Sequence, residues 1–147
     1  MTTIDAVAAM LAEETGLAVV STAHVDGRVL SSVTNCGVVE HPVTRERQVA
    51  FVSMGTATRL RHIRRGAPAT VAVRRGWKWL SVTGHAEIVA ASDGPAGMSA
   101  DSYRLLLREI FHAAGGTHDN LVEYDRVMAE EGRVAVFVTP SRILGNG

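Results

Sequence analysis

The sequence predicts a mainly β fold, a barrel of about six to seven antiparallel strands with helices around it. Apolar or alternating runs recur along the chain and are separated by short turns, which join antiparallel rather than parallel neighbours. The regular strand–helix alternation and Gly-rich fingerprint of a Rossmann sheet are not found. Closing the strands into a barrel removes unpaired edges. No repeat or linker interrupts the 147 residues, so we expect one domain over 1–147.

The N-terminal part predicts a helix followed by a hairpin. Apolar residues of Ile4–Glu14 recur at helical spacing, which indicates an amphipathic helix. Leu17–Val25 and Val29–Val39 are the strands of the hairpin, joined at Asp26-Gly27, where glycine tolerates the positive φ of tight turns. His41-Pro42 then interrupts pairing, because proline has no N–H to donate to a strand ladder.

The central part predicts three strands and a short helix. Gln48–Met54 is an apolar strand, and Thr56–Arg65 is an Arg-rich helix. Ala69–Arg74 is a further strand, with a turn at Arg75-Gly76. Trp77–Ala90 alternates with a period of two, which indicates a strand with one apolar face.

The C-terminal part predicts two helices before the sheet is completed. Ala91–Met98 is rich in Gly, Ser and Asp and is predicted to be a loop. Ser99–Ala114 carries an apolar stripe at helical spacing, and Asp119–Glu130 is a second helix. Arg133–Thr139 is the last full strand, and Ile143-Leu144 is a candidate for a short strand that closes the sheet.

Composition and charge exclude several classes of protein. Fifteen basic and 15 acidic residues give a formal net charge of zero, which argues against a general nucleic-acid binder. Cys36 is the single cysteine, so it forms no internal disulfide, and a buried small residue is the favoured interpretation over a nucleophile. The histidines lack metal-ligand spacing. Without a leader-like N-terminus or a membrane-length apolar run, we expect a cytoplasmic protein that uses no membrane.

The turn after the third predicted strand has the composition of an anion site. Ser53-Met54-Gly55 opens the helix that carries Arg59 and Arg61, so backbone N–H groups, hydroxyls and guanidinium groups converge at a helix N-terminus. That combination can hold a phosphate. The alternative is a solvated helix face, because arginines between the inward residues Leu60 and Ile63 would be exposed in any case. The residues alone leave these two interpretations equally open.

Four colinear segments carry a resemblance to a known family. They are Ala23–Arg28, Thr58–Arg65, Gly76–Glu87 and Val136–Gly145. Together with the order of elements, they resemble the split β-barrel flavin/deazaflavin oxidoreductases, often called pyridoxamine 5'-phosphate oxidase-related proteins. The most similar branch is the actinobacterial one that uses coenzyme F420. The resemblance implies an FMN-binding-type split β-barrel and a homodimer with the cofactor at the subunit interface.

The resemblance also implies a set of cofactor-binding residues. The family's phosphate motif, Lys followed by Arg and Asn, falls on Arg59, Arg61 and His62, with His62 in place of the usual Asn. Trp79 takes the position of an aromatic residue that lines the pocket, although packing in the core or at the interface explains an indole equally well. The implied set is Ser32, Val33, Thr34, Ser53, Thr58, Arg59, Arg61, His62 and Trp79.

The implied function is an F420H2-dependent reductase that transfers a hydride to an electron-poor small organic substrate. No side chain is assigned as catalytic, because the cofactor carries the difficult chemistry. One alternative is an FMN-dependent oxidoreductase. Another is a non-catalytic protein that binds a flavin, a deazaflavin or haem. A second basic group, Arg74, Arg75 and Lys78, would attract the anionic tail of F420 if the fold brought it to the same groove as the helix arginines.

Overall fold

The computed structural model describes residues 2–90 and 98–146, so most of the predicted loop Ala91–Met98 lies outside the described residues. The described chain contains four helices and six strands. In chain order they are α1 Ile4–Glu13, β1 Leu17–Ala23, β2 Val29–Glu40, β3 Arg47–Ser53, α2 Thr58–Arg64, β4 Ala69–Arg75, β5 Lys78–Val89, α3 Ala100–Ala113, α4 Leu121–Glu130 and β6 Val134–Gly145.

The six strands form a closed antiparallel barrel in the order β1-β2-β3-β6-β5-β4. This confirms the mainly β class, the antiparallel pairing and the peripheral helices. The predicted separate strand at Ile143-Leu144 is part of β6 instead. β6 crosses Pro140 without ending, and its register with β5 shifts at Thr83/Gly84. A β-bulge of this kind absorbs an irregular position while the ladder continues.

β2 pairs with two different strands along the two parts of its length. It pairs with β1 along Val29–Asn35 and with β3 along Cys36–Glu40. Side chains of directly paired residues lie on the same face, so Ser32 and Thr34 share the inner face with Val20 and Ala18 of β1. The strand ends at Glu40, as the prediction of an interruption at His41-Pro42 requires.

Two buried clusters stabilise the barrel. One fills its interior with residues such as Phe51, Leu60 and Val82, and the other packs α3 against the outside of β3 and β6 around Phe137. Alternation along β5 matches the sequence prediction, because Leu80, Val82, Ala86 and Ile88 are buried and His85 is exposed. Cys36 lies inside with no exposed surface, and burial raises the pKa of its thiol to about 12.

A buried histidine holds the connection between β2 and β3. The backbone N–H groups of Val43 and Thr44 donate to His41 Nδ1 at 3.1 and 3.2 Å. His41 Nε2 therefore carries the proton and donates to Glu87 Oε1 at 2.7 Å. The ring also packs edge-on against Phe137 at 5.0 Å between centroids. This one side chain thus connects the turn to β5 and β6.

Among the described helices, none has both the length and the apolar character needed to cross a membrane.

Helix α3 packs closely on the barrel. A Cβ on Gly37 of β2 would lie 2.5 Å from the carbonyl carbon of Ala113, at the end of α3. A side chain at this position would therefore push the helix away from the strand.

Candidate cofactor site

The predicted anion-binding turn lies between β3 and α2. β3 ends at Ser53, and α2 begins at Thr58 after the N-cap Ala57, which offers no side-chain hydrogen bond. Gly55 sits in a tight gap, because a Cβ there would lie 2.4 Å from the carbonyl oxygen of Gly132. The turn is therefore held against the connection between α4 and β6. Since α2 has only seven residues, its dipole is a minor contribution, and an anion would depend mainly on side chains.

Arg59 is the centre of the site. It reaches from α2 to β2, where its Nη2 donates to Ser32 Oγ at 2.8 Å. Its guanidinium carbon also lies 5.5 Å from the centroid of the Phe51 ring. These two contacts hold the guanidinium between Ser32, in the β1-paired half of β2, and Phe51 of β3, which pairs with Cys36 of β2.

The electrostatic environment of Arg59 is unusual for an arginine. Partial burial lowers its pKa, and the nearby Cys36 offsets this only in part. Within residues 2–90 and 98–146, no carboxylate forms an ion pair with Arg59; its polar partner is a neutral hydroxyl. Half-buried charges are normally paired, so an anion from a ligand would complete the site.

His62 has a different role from that of Arg59. The side chain is 2% exposed, and its Nδ1 forms a 2.8 Å hydrogen bond with Thr22 Oγ1 of β1. Its Nε2 has no hydrogen-bond partner among the described residues. Burial lowers the pKa of His62, and the nearby Arg65, His24 and Arg61 lower it further. The geometry therefore gives a neutral histidine that joins α2 to the barrel.

The other implied residues divide between two faces. Thr34 shares the inner face of β2 with Ser32, and Thr58 and Arg61 are exposed on α2. Ser53 is buried at the end of β3, with its hydroxyl donating to the carbonyl of Met54 at 3.2 Å. Val33 lies on the opposite face of β2, beside Val19 of β1.

Trp79 lies on the same outer face as Val33 but three strands away. It pairs with Arg74 across β4 and β5 and is 41% exposed. A single chain therefore brings Arg59 to Ser32, with Thr34 on the same face of β2, whereas Val33 and Trp79 lie on the outer face. The predicted residues do not form one continuous pocket within one subunit.

The second basic group lies far from α2. Thr22, which bonds His62, pairs with Ala69 at the start of β4, whereas Arg74 and Arg75 are at its end. At about 3.3 Å per residue, Arg74 and Arg75 lie about 16–20 Å along β4 from Ala69. Arg75 also forms an ion pair with Glu13. The condition that both basic groups share a groove is therefore not met within one chain.

Sequence reasoning missed two contributors to this site. The Phe51 ring under Arg59 looked like an ordinary core residue of β3. Gly132 closes over the turn from the far end of the chain, because β3 pairs with β6 and Ser53 faces Val134. No local pattern signals either contact, since both depend on pairing between segments distant in sequence.

The overall fold is similar to those of several solved structures. The conserved hypothetical protein Rv2991 from Mycobacterium tuberculosis aligns with a TM-score of 0.70 and 14% identity, covering 99% of this chain and 84% of its own. An F420 reductase aligns with a TM-score of 0.61 and 15% identity, covering 91% and 93%. A pyridoxamine 5'-phosphate oxidase-related, FMN binding protein from Nostoc punctiforme gives 0.58 and 12%, covering 96% and 81%.

At these low identities, the similarity shows a shared fold and nothing more specific. That fold is the split barrel. No protein-family model and no curated protein matches the sequence.

The lowered pKa of His62 predicts a pH-dependent stability. Between that lowered pKa and its ordinary value near 6.5, the unfolded chain binds a proton that the folded chain excludes. The free energy of unfolding should therefore decrease as the pH falls from about 7.5 to about 5.5. Urea unfolding at both pH values should show this decrease, and His62→Asn should reduce it. The exposed control His85→Asn should keep it, and an equal decrease in all three proteins would contradict the assignment.

Proposed function

We propose that the protein is an F420H2-dependent reductase that holds the phosphodiester of the deazaflavin at Arg59 and delivers a hydride to an electron-poor small organic substrate. The observation that carries this proposal is the half-buried guanidinium of Arg59, which has a hydroxyl but no carboxylate as its partner in the described chain. The split-barrel fold and the similarity in fold to an F420 reductase support it.

The residues around Arg59 suit a phosphodiester. The Ser32 hydroxyl orients the guanidinium, and a planar guanidinium can bind two phosphate oxygens at once. Thr58 at the start of α2 adds an exposed hydroxyl, and Arg61 adds an exposed cation that makes no ion pair with a described residue. These groups would hold one anionic group firmly and leave a second cation toward solvent.

The protein's own contribution to the reaction would be binding, orientation and exclusion of water. When bound, the deazaflavin supplies the hydride. Thr34 and Ser32 lie on the inner face of β2 beside Arg59, where they would border the ring system. We assign no general acid, so the proton that completes reduction would come from solvent.

A homodimer is part of the proposal, because the outer face of the sheet carries exposed apolar residues. Val33 is 64% exposed and pairs directly with Val19, which is 40% exposed, and Trp79 lies on the same face. Adjacent exposed apolar residues of this kind mark interaction sites. A second copy of the chain on this face would cover Val33 and Trp79, and it would explain why these two residues point away from Arg59.

Loss of the Arg59 charge should weaken cofactor binding. Arg59→Ala removes the anchor, and we expect the binding free energy to fall by about 1.5–3 kcal/mol, the scale of a charge-assisted hydrogen bond. Isothermal titration with F420 measures this change. Arg126→Ala, which removes a charge from the exposed side of α4, is the matched control and should bind as the wild type does. Unchanged binding by Arg59→Ala would return this residue to the role of a solvated helix cation.

The choice of cofactor can be decided by titrating the protein with F420, FMN and haem. We expect F420 to bind most tightly, because its glutamate tail adds negative charges near the exposed Arg61. The preference should decrease as salt rises, since exposed charges are screened over about 8 Å at physiological ionic strength. Tighter binding of FMN would instead support the flavin-dependent alternative. Preferred binding of haem, without reductase activity, would favour a non-catalytic binder.

The dimer can be tested by charging its apolar face. Sedimentation velocity at micromolar concentration should show a dimer for the wild type and a monomer for Val33→Asp, because the new carboxylate would be buried without a partner. Val122 is 75% exposed on α4, so Val122→Asp is a control that should remain dimeric. A monomeric wild type would refute this part of the proposal and leave the Arg59 site to be judged by its own titration.

A further inference from the structure

We propose that the cavity enclosed by α3, α4 and the start of β6 binds an amphipathic organic acid, with an apolar body and one carboxylate held by Arg133 and Arg104. The cavity has a volume of about 520 Å³ and borders the turn of the Arg59 site at Gly132, but neither Arg59 nor Ser32 lines it. Its size is within the range of small-molecule pockets in proteins.

The walls of the cavity suit an apolar molecule. Tyr103 and Leu107 contribute from α3, Tyr124 and Met128 from α4, and Val134 from β6. Hydrogen bonds fix the two tyrosines, because Tyr103 donates to the carbonyl of Arg133 at 2.7 Å and Tyr124 to that of Leu107 at 3.2 Å. Both hydroxyls are thus occupied, and their rings present apolar surface to the cavity.

The charged residues of the cavity favour an anion. Arg133 lines it, and its buried Nε has no hydrogen-bond partner among the described residues. Its contact with Glu131 is long, at 3.5 Å. Arg104 also lines the cavity, where it has a long 3.7 Å ion pair with the exposed Asp101 and shares Asp125 with Arg108, whose bond to that carboxylate is shorter than the 3.2 Å of Arg104. Both arginines can therefore donate a further hydrogen bond to an acceptor on a ligand.

The number of charges selects a monoanion. Among the described residues, the lining contains two arginines and one aspartate, so these three side chains carry one surplus positive charge. A carboxylate would neutralise this surplus and could accept two parallel hydrogen bonds from a guanidinium. A doubly charged phosphate would place an excess negative charge beside Asp125. The polar part of the ligand is therefore a carboxylate, and the remainder of the molecule lies against the tyrosines and Met128.

The test uses dodecanoate as the probe, below its micelle concentration, with dodecanol and dodecyltrimethylammonium as neutral and cationic analogues. Isothermal titration of the full chain should show one dodecanoate site per chain, binding of dodecanol weaker by about tenfold or more, and no binding of the cation. Saturating F420 should leave dodecanoate affinity unchanged. The titration with dodecanoate alone can be interpreted whether or not F420 binds. The proposal can therefore fail independently of the proposed function.

Variants separate recognition of the anion from the filling of the cavity. Arg133→Met should weaken dodecanoate by about tenfold or more and leave dodecanol unchanged. Arg126→Met, on the exposed side of α4, is the matched control and should leave both unchanged. Ala129→Phe fills the cavity from an exposed helix position and should weaken both ligands. If a thermal melt shows that Arg133→Met does not fold, Arg133→Lys is used in its place. This variant keeps the charge and should retain part of the preference for dodecanoate over dodecanol.

Three outcomes would overturn the proposal. They are the absence of saturable dodecanoate binding, equal affinity for dodecanoate and dodecanol, and equal effects of Arg133→Met and Arg126→Met.

Discussion

Closure of the barrel depends on β2, which is bonded to β1 over its first half and to β3 over its second. A strand can pair with two neighbours in this way only if it is long. The side chains on its inner face must also fit both halves of the barrel interior. The second half is apolar and packs in the core, whereas the first half presents the hydroxyls of Ser32 and Thr34. Polar groups thus lie on the inner face of the half that pairs with β1, and Arg59 contacts Ser32 there from α2.

Two histidines show how the barrel fixes the segments that connect its strands. His41 holds the turn after β2 by accepting two backbone N–H groups and donating to Glu87. His62 holds α2 to β1 through Thr22 and is kept neutral by burial and by neighbouring cations. Arg59 therefore projects from a helix fixed on one side by His62. An anchor on a rigid element loses little conformational freedom when a ligand binds.

Local patterns were sufficient to predict most of the fold. The alternation along β5, the turn at Asp26-Gly27 and the interruption at His41-Pro42 depend on neighbouring residues, and the structure confirms each of them. The continuity of β6 through Pro140 could not be predicted, because it depends on a bulge in its pairing with β5. The Phe51 and Gly132 contacts at the site likewise depend on distant pairing. The family resemblance implied that Arg59 and Ser32 belong to one cofactor site, but it did not predict their direct contact, and the role of Arg59 toward a cofactor stays a prediction.

The position of β6 has a consequence for how the chain acquires its structure during synthesis. β6 lies between β3 and β5, so both strands keep an unpaired edge until Val134–Gly145 has left the ribosome. Exposed strand edges promote pairing with other chains, and long-range closure is slow compared with hairpin formation. The nascent protein therefore passes through an interval in which the β1–β2 and β4–β5 hairpins can form while the open sheet is prone to aggregate. Chaperone binding during that interval would protect β3 and β5 in particular.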